Sequence, residues 1–276
     1  MKDYFEGRFE GKNIVVTGGT SGIGRAVCIR AAKEGGFVVV VGRNEQRGQS
    51  VVNEILSNGG SAIFIAADVS KENEVISLFN TVNDKLGEIH VVINNAGIVG
   101  HGERVDELST DEWLNVVNTN LNSAFYCCRE AAKNMINHKK GGSIVNVSSI
   151  AGTTGFYRST AYVASKHGLN GLTKAVANDL AMFNIRCNSV SPAGTATPLK
   201  DRSAEEIKVK LGAAIASGKS IDEAKTETMI GGKTETLQKR SATADEQAAT
   251  ILYVASDEAC HITGSVIMSD GGYTAY

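Results

Sequence analysis

The stretch Ile14-Val15-Val16-Thr17-Gly18-Gly19-Thr20-Ser21-Gly22-Ile23-Gly24 decides how the rest of the chain is read. A short β-branched run ends in a glycine-rich turn, and helical spacing follows over residues 24–33. That order predicts a buried strand, a tight turn and a helix. Gly18, Gly22 and Gly24 let the backbone turn sharply and approach a ligand closely. The helix that follows offers free N–H groups and the positive end of its dipole, which suits a pyrophosphate. Gly18, Ser21, Gly22, Ile23 and Gly24 are therefore assigned to phosphate binding, in the strand-turn-helix context that the mechanism requires.

The same alternation continues outward. Apolar runs at 37–41, 62–65, 89–93, 143–147, 185–190 and 266–268 read as parallel strands, with helical spacing between them, as at 47–56 and 75–86. This predicts an α/β chain: a single doubly wound, Rossmann-type parallel sheet of about seven strands with helices on both faces. Its ligand belongs at the carboxyl ends of the strands. With 42% apolar residues among 276, a single dinucleotide-binding and catalytic domain over residues 1–276 is expected. Residues 199–240 differ, being rich in Lys, Glu, Thr, Ala and Gly with no strand signal. Ile207, Leu211, Ala214 and Ile215 keep helical spacing, and Ser220-Ile221-Asp222-Glu223 fits a capping box. A helical insertion covering the substrate is expected there. Its Gly218-Lys219-Ser220 and Gly232-Lys233-Thr234 lack the earlier Gly and the preceding strand of a P-loop, so they read as helix turns.

A net charge of −2 gives no field that would recruit nucleic acid or a membrane surface. No apolar run nears the roughly 20 residues of a spanning helix. Residues 1–6 carry acids where a secretory leader needs a basic and then apolar start, so a cytoplasmic protein is expected. The five cysteines, Cys28, Cys127, Cys128, Cys187 and Cys260, form no Cys-x-x-Cys and no His/Cys cluster with metal spacing. Buried reduced thiols and no metal are expected.

The second predicted strand ends Val40-Val41-Gly42-Arg43-Asn44. An acid there would bind the ribose 2′-OH of NAD, whereas an Arg holds the 2′-phosphate of NADP. No acid is present, so Arg43, with Asn44 beside it, points to NADP(H) in preference to NAD(H). Farther on, Tyr162-Val163-Ala164-Ser165-Lys166 lies on a helix predicted to begin near Thr160, where positions i and i+4 share a face. A phenol titrating near 10 needs a shift of about three units, or about 4 kcal/mol, to act as a base near neutrality. A cation about 4 Å away at an effective dielectric of about 20 supplies about that much. Ser148-Ser149 ends the predicted strand at its carboxyl edge, where Ser149 can donate to a substrate oxygen. Tyr157 is a competing phenol, but Ala161 stands at its i+4 position.

Together these residues resemble the short-chain dehydrogenase/reductase family, in its compact rather than its extended, epimerase-like form. The resemblance covers about residues 10–200 and 241–276. Gly18, Gly22 and Gly24 are similar to its TGxxxGxG motif, Tyr162 and Lys166 to its YxxxK, and Asn94-Asn95-Ala96-Gly97 to its Asn-Asn-Ala-Gly. Asp68-Val69 resembles its adenine-contacting Asp, and Ser149 precedes Tyr162 by 13 residues as the family's Ser does. The resemblance implies that Tyr162 exchanges a proton with the substrate oxygen and that Ser149 orients that oxygen. It implies that Lys166 bonds the nicotinamide ribose and lowers the Tyr162 pKa, and that Asn120 holds a water linking Lys166 to solvent. It also implies cofactor contacts at Asp68, Val69, Asn95, Ala96, Gly97, Pro192, Thr195 and Thr197. A homotetramer is implied too, with helices at 110–137 and 161–182 in one interface. One departure is Ala193, which replaces the usual Gly and puts in doubt any turn there that needs positive φ.

The expected activity is NADP(H)-dependent interconversion of a secondary alcohol and a ketone. Ile150, Ala151, Thr153, Thr154, Phe156 and Tyr157, with His101 near the mouth, would line a pocket for a small, uncharged, mostly apolar substrate. Two rival readings are a non-catalytic NADP(H)-binding sensor or scaffold and a nucleotide-sugar epimerase. The intact Asn120, Ser149, Tyr162 and Lys166 set speaks against the first, and the glycine spacing against the second.

Overall fold

Seven runs of Val, Ile and their neighbours pair in parallel into one sheet of order β3-β2-β1-β4-β5-β6-β7. The strands are β1 (Asn13–Thr17), β2 (Phe37–Gly42), β3 (Ser61–Ala66), β4 (Val91–Asn94), β5 (Gly142–Val147), β6 (Ile185–Pro192) and β7 (Val266–Ser269). The helices are α1 (Gly22–Lys33), α2 (Glu45–Ser57), α3 (Glu72–Leu86), α4 (Thr110–Val117), α5 (Ser123–His138), α6 (Thr160–Leu180) and α7 (Ala244–Ala255). The structure, a computed structural model, describes residues 5–198 and 236–275 and, between them, 208–209, 211–213, 215–218 and 220.

Strand periodicity sorts the apolar side chains to two faces. Ile14, Val16, Val38 and Val40 pack with Val27 and Ala31 of α1 and with Ile251 and Leu252 of α7. Val15, Val39, Val41 and Val92 pack on the other face with Val75 and Phe79 of α3, Cys128 of α5 and Leu180 of α6. Strand order reverses between β1 and β4, which pair from Ile14↔Val91 to Thr17↔Asn94. Outside the carboxyl ends of these two strands lies the crevice where such sheets take their ligands.

Some expectations need correction. Ile89 and His90 precede β4 rather than forming part of it, because the His90 ring accepts a hydrogen bond from the Asn13 backbone N–H at 3.0 Å and holds the approach to the sheet. The expected continuous helix over 110–137 is interrupted by a π turn, Asn118–Asn122, between α4 and α5. Four cysteines are buried and reduced, but Cys260 is exposed. Within the expected insertion, residues 208, 209, 211–213, 215 and 216 are helical. Ile207, Ala214, Ile221, Asp222, Glu223 and the Gly232 segment lie outside the described residues. Among the described residues no helix is long and apolar enough to cross a membrane.

Candidate active site

A cavity of about 900 Å³ runs along the carboxyl edge of the sheet. Arg43 and Asp68 line one part of it, and Ser149, Tyr162 and Lys166 line another. The turn between β1 and α1 borders it as nearly bare backbone. Gly18 has φ +63°, and a Cβ there would lie 2.9 Å from the Ala96 Cα. A Cβ on Gly24 would lie 2.3 Å from the Gly18 carbonyl oxygen. β4 braces this turn from the side: the Asn95 side-chain amide donates to the Thr17 and Gly18 carbonyls at 3.1 and 3.2 Å. The backbone N–H groups of Asn95 and Ala96 donate to the Thr17 hydroxyl at 3.1 and 3.2 Å. Ser21 precedes α1 without capping it through its side chain, and no acid stands in the first turn. The first N–H groups of α1 thus keep their capacity for an anion. A dinucleotide pyrophosphate fits this cradle.

At the far end of β2, Arg43 is exposed and lines the cavity, as does Arg47. Asn44 also borders the cavity, but its side-chain oxygen accepts from Arg47 N–H at 2.8 Å and caps α2. Asp68 accepts from the Ser70 N–H and hydroxyl at 3.2 and 2.7 Å. Burial pushes its carboxyl up, but the Ser70 bonds and the Arg43 charge outweigh that and hold it below the usual range. Val69 is buried beside it.

α6 places Tyr162 and Lys166 one turn apart. Lys166 is 4% exposed, and its ammonium donates to the Val147 carbonyl at 2.9 Å. Burial pulls its pKa down to about 8. The ammonium nitrogen lies 5.7 Å from the centre of the Tyr162 ring. Burial pushes the Tyr162 phenol up, and a hydrogen bond with the Ser149 side chain opposes that. Among the protein's own groups burial prevails, so the expected lowering of the phenol by Lys166 is not what this arrangement alone produces. Ser149 is 8% exposed and accepts from the Ala151 N–H at 3.1 Å.

Asn120 sits in the π turn, 1% exposed, with its side chain fully engaged. It accepts from the Ile98 N–H at 2.8 Å and donates to the Ile98 carbonyl at 2.9 Å and the Ser165 hydroxyl at 3.0 Å. It thereby ties the segment after β4 to α6. A Cβ on Gly97 would stand 3.2 Å from the Asn120 oxygen and 3.6 Å from the Lys166 nitrogen, so all three residues meet at one point. Pro192 at the end of β6 and Thr195 and Thr197 beyond it line the cavity. Ala193 does not adopt positive φ, and neither does Gly194, so the Ala brings no strain.

Comparison with known proteins agrees with this geometry. The sequence profile described as short chain dehydrogenase matches residues 12–208. The chain belongs to the short-chain dehydrogenase family. It is 55% identical to a 3beta-hydroxysteroid dehydrogenase of Mediterraneibacter gnavus, over 99% of this chain and 98% of that one. It is 34% identical to a cyclohexanol dehydrogenase of Acinetobacter sp., over the whole of both chains. Among solved structures, levodione reductase superposes with a TM-score of 0.84 at 28% identity, covering 97% of this chain and 99% of that one. As a short-chain dehydrogenase it is an oxidoreductase acting on CH–OH groups.

Within this short-chain dehydrogenase, the cavity gathers Gly18, Ser21, Gly22, Ile23, Arg43, Asn44, Asp68, Val69, Asn95, Ala96, Gly97, Ser149, Tyr162, Lys166, Pro192, Thr195 and Thr197. Gly24 and Asn120 stand immediately behind that wall. Of the residues expected to line the substrate pocket, Ile150 and Phe156 border the cavity. Ala151 is buried in a 3-10 turn (Ile150–Gly152), and the Thr153 and Thr154 hydroxyls donate back to the Ile150 carbonyl, both at 3.0 Å. Tyr157 is 45% exposed and off the wall. His101 is also off it, its N–H donating to the Glu112 carboxylate at 3.1 Å. The sequence reading missed Ile98, Ser159 and Tyr273, which all line the cavity. For Tyr273 a signal existed: the turn Asp270-Gly271-Gly272 follows β7 and brings the chain to the carboxyl edge.

Proposed function

We propose that this short-chain dehydrogenase interconverts an alicyclic secondary alcohol, of the hydroxysteroid or simpler ring-alcohol kind, and its ketone, with NADP(H) as the preferred nucleotide. The observation that carries the reading is one continuous cavity with a phosphate cradle and Arg43 along one part and Ser149, Tyr162 and Lys166 along another. The ring-alcohol and hydroxysteroid activities named for its relatives support the substrate class.

NADP(H), when bound, accepts or supplies the hydride. The chain's own groups place the reactants and move the proton. Ser149 and Tyr162, which both line the catalytic part of the cavity, converge on one substrate oxygen. In the reducing direction the phenol gives its proton to that oxygen and becomes the phenolate, and in the oxidising direction the phenolate takes the proton of the alcohol. The Lys166 ammonium, 5.7 Å from the ring centre, brings a positive charge to the Tyr162 side of the cavity, which favours the phenolate against the burial that raises the phenol. Asn120 holds the π turn against Ile98 and Ser165, keeping open the proton route from Lys166 to solvent. With the nucleotide bound, Arg43 would hold the 2′-phosphate, with Asn44 adjacent; Asp68 and Val69 would border the adenine, Gly18 to Gly24 the pyrophosphate, and Asn95, Ala96, Gly97, Pro192, Thr195 and Thr197 the nicotinamide side. The same reading takes the chain as one catalytic domain that assembles as a homotetramer in the cytoplasm. Exposed Phe125 on α5 and Met182 just beyond α6 support such an interface.

The test is a fluorescence titration with NADPH and with NADH, on the wild type and on Arg43→Ala, followed by an assay of reduced nicotinamide with ring ketones. Loss of a charged hydrogen-bond partner should weaken NADPH by about 10- to 100-fold and leave NADH unmoved. Equal affinity for the two nucleotides in the wild type defeats the NADP assignment. Tight NADPH binding without turnover of any ring ketone returns the sensor reading.

A further inference from the structure

The C-terminal turn after β7 is not part of the catalytic set, yet it reaches the cavity. Asp270 is 9% exposed and accepts three hydrogen bonds, from the N–H groups of Gly272 and Thr274 at 2.9 Å each and from the Thr274 hydroxyl at 2.6 Å. Those bonds fix the loop on which Tyr273 stands. The Gly271 carbonyl accepts from the Gln238 N–H at 3.1 Å, so the same turn anchors the chain where it returns from the 199–240 insertion. Tyr273 lines the cavity, and its ring meets Phe156 edge to face, with centroids 6.4 Å apart and planes at 61°. Phe156 comes from a different part of the chain, the segment between Ser149 and α6, and lines the cavity with Ser159 and Tyr162.

Two aromatic rings inclined to one another form an apolar corner, and each ring offers a broad face with few rotamers to freeze. Such a corner fits a rigid slab of fused rings better than a single small ring, which reaches the catalytic oxygens without filling it. We infer that Tyr273, set by Asp270 and paired with Phe156, is a specificity-determining residue that favours a multi-ring alcohol over a single-ring one. This rests on the alicyclic-alcohol reading above and deepens it.

The deciding experiment measures kcat/KM for a four-ring 3-hydroxysteroid and for cyclohexanol with the wild type, Tyr273→Ala, Tyr273→Phe and Phe156→Ala. The steroid-to-cyclohexanol ratio should fall at least tenfold in both alanine variants, carried by a higher steroid KM, and should survive in Tyr273→Phe, which keeps the ring. An alanine ratio within twofold of the wild type, or an equal loss on both alcohols, overturns the inference while the dehydrogenase reading stands. A wild type that binds NADPH but oxidises neither alcohol overturns both. NADPH titration identifies any variant that has failed to fold, and Phe156→Ala carries the test if Tyr273→Ala is lost that way.

Discussion

The nucleotide and catalytic parts of the cavity are built by opposite means. Around the β1–α1 turn the chain has removed side chains, and bare backbone closes on Ala96 and Asn95 with no room for a methyl group. Around β5 and α6 it has buried polar side chains instead. Asn94, Asn120, Asn146, Ser148, Ser149 and Lys166 are all at most 8% exposed. Each would cost free energy there unless paired. Most of the pairs are present: the Asn94 amide N–H donates to Asn146 at 2.8 Å, and Asn146 donates to the Thr173 hydroxyl at 2.9 Å, while the Asn94 side-chain oxygen is left without a partner. One region should therefore fail when atoms are added and the other when atoms are removed.

The sharpest break comes from removing one atom at the catalytic end. Tyr162→Phe takes away the proton donor but keeps the ring, and kcat should fall by about 10²- to 10⁴-fold. NADPH titration of the same variant should show an intact nucleotide end. A kcat within tenfold of the wild type would deprive Tyr162 of its role.

Lys166 sharpens the comparison from the side of stability. Burial lowers its pKa from 10.5 to about 8. Below pH 8 both the folded and unfolded forms carry the charge, and the folded form bears the full desolvation cost of about 3 kcal/mol. Between pH 8 and 10.5 the unfolded chain binds more protons than the folded one, so wild-type stability from this group rises with pH, and above 10.5 the penalty is gone. Lys166→Met should therefore be inactive yet more stable at pH 7. The net gain is about 2 kcal/mol once the Val147 carbonyl has lost its donor. Urea denaturation at a series of pH values should show that gain fading as pH rises through this window. A variant destabilised at pH 7 would mean that the ammonium is better solvated than its burial implies.

Gly24→Ala tests the other end by addition. The new Cβ would press on the Gly18 carbonyl and on the Asn95 amide at 2.4 Å, both of which shape the cradle. Overpacking of this kind costs about 1–3 kcal/mol. Denaturant midpoints should fall accordingly and NADPH affinity should drop, because the turn can relax only by moving its N–H groups.

The same contrast explains what was legible in the sequence. A region specified by missing side chains announces itself, since glycines at fixed spacing between a strand and a helix leave few other readings. The seven strands were legible for a similar reason: strands buried on both faces appear as short continuous apolar runs. The catalytic pair was legible only as spacing on a helix. The π turn around Asn120 was not, because its cause lies across the fold, in the bonds to Ile98 and Ser165. The wall of the substrate end was the least legible part. Thr153 and Thr154 look like lining residues until their hydroxyls are seen folding back on Ile150, and Tyr273 is far from the site in sequence.

The smallest effect separates the two functions of a residue that serves both structure and site. Asn44 borders the cavity next to Arg43, yet its side-chain oxygen is already bonded to the Arg47 N–H at 2.8 Å. A capping side chain is worth about 1 kcal/mol, and Ser or Asp replaces Asn at little cost. Asn44→Ala should therefore lower the melting temperature by about 2–4 °C in a chain of this size, and Asn44→Ser should restore most of it. Because α2 carries Arg47 and begins beside Arg43, fraying its first turn should weaken NADPH only slightly, far less than Arg43→Ala does. If Asn44→Ala instead matched Arg43→Ala in NADPH affinity with no change in melting, the side chain would be a ligand of the nucleotide first and a cap second. The nucleotide end would then depend on side chains as much as the catalytic end does.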